Sequence, residues 1–309
     1  MGSIIPHVKI LQPNNKHPYL ETIQNSIRYQ LKDKAPVNFE EFTKFGKKLT
    51  SKIVFGTYDV YEPVFQVFEH SNNMMSLYNF KEKDKELFDK YHKYLSYHID
   101  HPNPESLIYL SSTFHKNVSK EEIIHQIPHW IFPINGVFST HFPRLLVMLI
   151  NHQEKLDIVI QEIKNNKILK NKDNYLRKCI LELFRLNNPV NSTFRTLLQD
   201  YSFDGKKTYK KGEQFVFFNN PLLRLEYKDR PDQYVPERWT SDLEESKIAL
   251  QFNQGNQSCP GKELAISIME VMTVEYLIRV NFDIKTNIKL DTMNIDTLIN
   301  PCRVVFEGK

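Results

Sequence analysis

The stretch SKEEIIHQIPHWIFPINGVFSTHFPRLLVMLI, from Ser119 to Ile150, constrains the fold more than any other part of this chain. Ser119 and Glu122 stand in capping-box positions, where hydroxyl and carboxylate each satisfy a backbone N–H at a helix start. The residues beyond this cap are mostly apolar with little polar face, the mark of a helix buried within a core rather than laid upon one. Its longest unbroken apolar runs, such as Leu145 to Ile150, fall far short of the roughly 18 residues that cross a bilayer, so no transmembrane segment is expected. Pro128, Pro133 and Pro143 each remove a ladder hydrogen bond at a cost of about 3 kcal/mol, which predicts a bent or interrupted helix whose freed carbonyls find local polar partners.

With 309 residues, 40% of them hydrophobic, the chain has material for one large core or two modest domains around that helix. Lys plus Arg number 41 against 37 for Asp plus Glu, and the net charge of +4 is a weak field that argues neither for nor against nucleic acid; no nucleic-acid partner is expected. The opening MGSIIPHVKILQ has no basic region followed by an apolar one, and Pro6 stands where a myristoylation signal needs Ser or Thr. The expectation is a soluble, intracellular (cytoplasmic) protein. Three widely spaced cysteines, Cys179, Cys259 and Cys302, form no disulfide framework and fit a reducing compartment.

Phe39, Phe42, Phe45, Leu49 and Ile53 recur at helical spacing, with Asn38 and Glu41 placed to cap the start and Gly56 to stop the end. HPNPES, from His101, is a proline-rich break. The Lys- and Asn-rich segment from Lys164 to Asn174 reads as a solvated turn, after which YLRKCILELFRL resumes helical spacing. Between Phe194 and Phe218, short aromatic and β-branched runs around Asp204-Gly205 and Gly212 predict a hairpin. Leu264, Ile268, Val271 and Met272 predict a closing helix, with Pro260 in its first turn. The fold class is mainly α with a small β-region, divided into residues 1–118 and a core of 119–309. His129 and Trp130 read as packed core.

One loop carries chemistry. FNQGNQSCPGKELA, from Phe252, sets Cys259 before a predicted helix, where unpaired N–H groups and the helix dipole stabilise a thiolate. Gly255 and Gly261 let backbone approach a flat ligand, and Phe252 can shield the sulfur. A lone cysteine at a loop–helix junction is more often inert, but the spacing Phe-x-x-Gly-x-x-x-Cys-x-Gly arises by chance on the order of once per thousand chains of this length.

This pattern resembles the haem-binding loop of the cytochrome P-450 family of haem-thiolate monooxygenases. ELFR, with Glu182 and Arg185, is similar to the family's Glu-x-x-Arg motif, and YVPERW supplies Arg238 as the third member of a structural triad. The resemblance implies a P-450-like fold, N-terminally truncated, from about Asn38 onward. It implies haem b, with Cys259 as iron ligand, Phe252, Gly255 and Gly261 lining the loop, and Arg195 against a propionate. It also implies a small apolar substrate, with electrons from a separate reductase. In the central helix, where the family carries an acid followed by an alcohol, the best alignment puts Phe138 at the acid and Ser139-Thr140 at the alcohols, after Asn135-Gly136. Asn135, Ser139 and Thr140 are the candidate catalytic residues there, and the same polar groups also suit the freed carbonyls beside Pro133 and Pro143. Gln257 stands where the family often has Arg or His. Two other readings share the motif: a haem-thiolate isomerase or peroxide-using enzyme, and a degenerate haem-binding or interaction protein.

Overall fold

A computed structural model describes residues 20–32, 34–70, 85–114, 118–166, 168, 173–190, 192–245 and 250–279. In chain order the helices are α1 (Leu20–Gln30), α2 (Phe39–Phe55), α3 (Glu62–His70), α4 (Lys85–Asp100), α5 (Leu107–Phe114) and α6 (Lys120–Gly136), a π-helical turn (Val137–His141), then α7 (Phe142–Ile150), α8 (Gln153–Lys164) and α9 (Tyr175–Leu186). Strands β1 (Ser192–Thr196) and β2 (Gln214–Phe218) come next, then α10 (Asn219–Glu226), α11 (Ser241–Glu245) and α12 (Lys262–Arg279). The architecture is mainly helical, as expected. The described residues form two compact units, one of 20–151 with 260–279 and one of 152–259. The proline-rich break near His101 and the capping box at Ser119 both lie inside the first.

In the first unit, Asn38 Oδ1 accepts the Glu41 N–H at 3.0 Å, and Gly56 ends α2 in the left-handed region at φ 81°. Phe42, Leu49 and Ile53 are buried, so the helical spacing read from the sequence is the packed face. Phe42, Phe142 and Tyr276 bring α2, α7 and α12 together, with ring centroids 5.4 to 5.9 Å apart. The Tyr276 hydroxyl, buried with them, donates to the Pro36 carbonyl at 2.7 Å, which satisfies the one polar atom these rings bring into the core. Both halves of the Ser119–Glu122 capping box are made. Trp130 is buried on α6, but His129 is exposed, because the turn that faces Ile127, Trp130, Ile131 and Ile134 inward leaves position 129 on the outer side.

The second unit is built on α9, which is buried along nearly its whole length. Asn174 caps it by accepting the Arg177 N–H at 2.7 Å and also donates to the Ile168 carbonyl at 3.2 Å. Lys164 to Asn166 are exposed, as the expected solvated turn requires, whereas Ile168 and Asn174 are buried and belong to the core; positions 167 and 169–172 lie outside the described residues. The hairpin is present: β1 pairs antiparallel with β2 in the register Ser192↔Phe218 to Thr196↔Gln214. Its Phe203, Tyr209 and Phe215 rings pack edge to face at 5.0 to 5.6 Å. No helix among the described residues is long and apolar enough to cross a membrane.

Candidate functional site

Glu182 and Arg185 lie three residues apart on α9, so their side chains share one face. Both are fully buried. A bare carboxylate there would cost several kcal/mol, and the site meets this by filling every acceptor position it can. Arg185 makes a fork to both Glu182 oxygens, Nε to Oε2 and Nη2 to Oε1, each at 2.9 Å. Arg238 Nε reaches Oε1 at 3.2 Å, the Val235 N–H reaches the same oxygen at 2.9 Å, and the Trp239 indole N–H reaches Oε2 at 2.9 Å. The remaining guanidinium donors go to backbone carbonyls: Arg185 to Pro231 and Gln233, Arg238 to Asp229 and Arg230. The Tyr227 ring lies 5.3 and 5.5 Å from the two guanidinium carbons. Burial pushes the Tyr227 phenol up to about 12.

The structure therefore brings the three charged residues together and adds two members the sequence motifs did not reveal. Trp239 stands next to Arg238 in YVPERW, and a buried indole N–H needs an acceptor, which was the available signal. Val235 had none, because any residue but proline offers a backbone N–H.

The cysteine loop hangs from the same helix. Phe184 of α9 meets Phe252 edge to face at 5.2 Å, and Asn188, just past the helix end, donates to the Gln251 carbonyl at 3.2 Å. Leu250–Phe252 form one 3-10 turn and Gly255–Gln257 another, with Asn253 at φ 55° and Gly255 at φ 64° turning the chain between them. The Cys259 N–H closes the loop onto the Phe252 carbonyl at 2.7 Å. Arg195 on β1 lies beside it, its Nη2 3.4 Å from Asn253 Oδ1. Pro260 and Gly261 precede α12 rather than opening it: the first helical bond runs from the Ala265 N–H to the Gly261 carbonyl, so Pro260 serves the turn.

The two described cysteines differ in the way their chemistry requires. Cys179 is buried, and burial pushes its thiol well above the ordinary range, which keeps it protonated and inert. Cys259 is exposed. No cluster of three or more His, Cys, Asp or Glu among the described residues is placed to hold a metal. Iron in a porphyrin, which brings its other donors with it, asks for no such cluster. The loop suits such a flat group, because a side chain at Gly255 would meet nothing within 4 Å. Gln257 is exposed and neutral, and Arg195 is a cation beside this loop.

In the first unit the central helix is interrupted, as its prolines predict. Pro143 has no N–H for the Ser139 carbonyl, and the backbone widens into a π turn in which the Phe142 N–H reaches back to Val137. Ser139 Oγ donates to the Asn135 carbonyl at 2.7 Å. Asn135 Oδ1 is buried without a hydrogen-bond partner among the described residues, and Thr140 is half-buried. Phe138 is fully buried, its ring 6.3 Å from Phe45. A Cβ at Gly46 would come within 3.2 Å of Asn135 Oδ1 and of Phe138 Cβ, so glycine lets α2 approach the π turn without displacing either neighbour. From Ile123 to Gln153 the chain has no carboxylate at all.

His141, buried at the end of the π turn, is pushed down to about 3 by burial, with the Arg144 charge adding to it. The unfolded chain takes up a proton near 6.5 that the folded chain refuses, so stability falls as pH drops below about 6.5 and the loss levels off near 3. Between those limits the expected loss by about pH 5 is about 2 kcal/mol. Urea midpoints at neutral pH and at about pH 5 check this: His141→Gln should show a smaller acid loss than wild type, and equal losses would remove His141 as the cause.

A family model described as Cytochrome P-450 matches residues 22–301. Among curated proteins, cytochrome P-450 26B1 of Xenopus tropicalis is 24% identical over 189 residues, covering 55% of this chain and 37% of that protein. Probable cytochrome P-450 12d1 proximal, mitochondrial, of Drosophila melanogaster is 35% identical over 121 residues, covering 37% of this chain and 23% of that protein. The matched stretches thus span between about a quarter and two-fifths of these relatives' length. Among solved structures, the retinoic acid-bound cyanobacterial CYP120A1 superposes with a TM-score of 0.71 at 20% identity, covering 94% of this chain and 73% of that one.

Proposed function

Because this chain belongs to the cytochrome P-450 family, whose members are in general haem-thiolate monooxygenases, we propose that it binds haem b through Cys259 and oxidises a small apolar substrate with electrons from a separate reductase. The observation that carries this reading is the contrast between an exposed Cys259, closed onto Phe252 in a loop anchored to α9, and a buried, inert Cys179. When bound, haem supplies the redox-active iron at which oxygen is activated. The protein's own part is to hold the group. Cys259 gives the thiolate ligand, Phe252 shields the sulfur, Gly255 and Gly261 leave room for a flat face, and Arg195 balances a carboxylate of the group. Glu182, Arg185 and Arg238 act one step back: they fix α9, and α9 in turn anchors the loop.

The central helix favours a second reading of the chemistry. Reducing dioxygen to the level of one inserted oxygen atom consumes two protons and two electrons and releases water. Using hydrogen peroxide instead consumes neither, since the substrate C–H and the peroxide together balance the alcohol and water formed. With Phe138 packed against Phe45, Ser139 directed to a backbone carbonyl and His141 held neutral, the described helix offers no acid for proton delivery. This supports peroxide use over dioxygen activation, with Asn135 and Thr140 left as the polar groups able to order water there.

Titration of the purified chain with haem, followed by the spectrum of the reduced carbon monoxide complex, tests the main reading. A saturable one-to-one uptake with the red-shifted Soret band of thiolate ligation is expected, and failure to take up haem would overturn it. Given uptake, the second reading expects product formation from apolar test substrates with hydrogen peroxide and no reductase. Turnover only with dioxygen, a reductase and its electron source would sink the second reading and leave the first.

A further inference from the structure

Two helices of the first unit end side by side, and their last turns are basic. Arg28 lies in the last turn of α1, with Lys32 and Lys34 just beyond it, and Arg279 closes α12. Basic groups at helix C-termini are ordinary, since exposed carbonyls and the negative end of the dipole favour them. What is not ordinary is how these are held. Glu275, with a side chain only 2% exposed, accepts from Gln24 at 2.9 Å, from Arg28 Nε at 2.7 Å and from Arg279 Nη1 at 2.6 Å. Burial pushes its carboxyl up, and the hydrogen bonds from Gln24, Arg279 and Arg28 more than offset this, so it stays charged.

One buried carboxylate thus fixes two guanidiniums without using them up. Arg28 bonds to it through Nε alone and Arg279 through Nη1 alone, so each fork keeps N–H donors with no acceptor among the described residues. Both line a cleft of about 380 Å³ together with Lys32, Lys34, Leu31 and Ala35. Lys34 is paired with Glu41, whereas Lys32 has no carboxylate partner among the described residues. Among the described residues, four cations therefore face two carboxylates; Asp33, between Lys32 and Lys34 in the sequence, lies outside them.

We propose that this cleft binds a phosphoryl anion, as a phosphate ester or diphosphate. Two guanidinium forks held by a buried carboxylate, with an ammonium on a flexible stem beside them, match a tetrahedral group bearing several charged oxygens. Leu31 and Ala35 give the cleft an apolar wall for the organic part of an ester. The site is separate from the haem reading and does not depend on it.

Calorimetric titration with inorganic diphosphate tests it. Saturable one-to-one binding is expected, weakened roughly tenfold or more in Lys32→Glu and unchanged in Lys206→Glu, an exposed lysine of the hairpin. Binding that does not saturate, or that weakens equally in both variants, would mean general charge attraction and overturn the proposal. If Lys32→Glu does not fold, as judged by circular dichroism, Lys32→Gln takes its place. A second arm separates the sources: sedimentation with phosphatidylcholine vesicles, with and without phosphatidic acid. Capture that requires both phosphatidic acid and Lys32 assigns a lipid headgroup, Lys32-dependent diphosphate binding without vesicle capture assigns a soluble phosphate, and the absence of both overturns the site.

Discussion

Glu182→Ala is expected to cost this protein most of its stability. The substitution strands two guanidiniums, a backbone N–H and a buried indole N–H that now end on one carboxylate. Breaking a buried ion pair by removing one partner costs about 3–5 kcal/mol, against a total of roughly 5–15 kcal/mol for a whole domain. The soluble yield should collapse, and the urea midpoint of whatever is recovered should fall accordingly. Arg185→Ala should be nearly as severe, because it leaves a fully buried carboxylate without its bidentate partner. Arg238→Ala should be milder: its side chain is 10% exposed and gives Glu182 a single bond. That order of severity distinguishes a packed charge network from surface pairs, which are worth about 0–1 kcal/mol. A Glu182→Ala midpoint equal to wild type would refute the network's structural role.

The second large effect is on ligand binding. Cys259→Ala should fold as wild type does, since the Cys259 side chain is exposed and the loop is closed by its backbone N–H, which alanine keeps. Haem titration should then show the thiolate-type carbon monoxide spectrum lost outright. Affinity should drop by more than about 100-fold, because altering even a partner that only orients a metal ligand costs 10- to 100-fold. Circular dichroism and the urea midpoint supply the control. The two substitutions thus dissociate: Glu182→Ala loses fold and haem together, and Cys259→Ala loses haem alone. A Cys259→Ala protein that keeps the wild-type spectrum would place the iron on another side chain.

The helix caps were legible because they are local. Asn38 with Glu41 and Ser119 with Glu122 act within four residues of chain, so spacing alone reveals them. The break at Pro143 was legible for the same reason, since a missing N–H is a property of one residue. The assignment of His129 to the core failed because a strongly apolar run hides which of its turns faces outward, and only packing on α6 decides that. Within Lys164–Asn174, composition misled only at Ile168 and Asn174, which are buried amid polar neighbours while Lys164 to Asn166 are exposed.

The sequence by itself determined the helical class, the cap positions, the interruption of the central helix and the family pattern around Cys259, because each depends on residue types at short, fixed spacing. Only the tertiary structure decided that Glu182 gathers Arg185, Val235, Arg238 and Trp239 across more than fifty residues of chain, and that Glu275 gathers Gln24, Arg28 and Arg279 across nearly the whole of it. In both places the cause is the same. A carboxylate taken out of water must find donors wherever the fold brings them, and no local pattern records which distant groups those are.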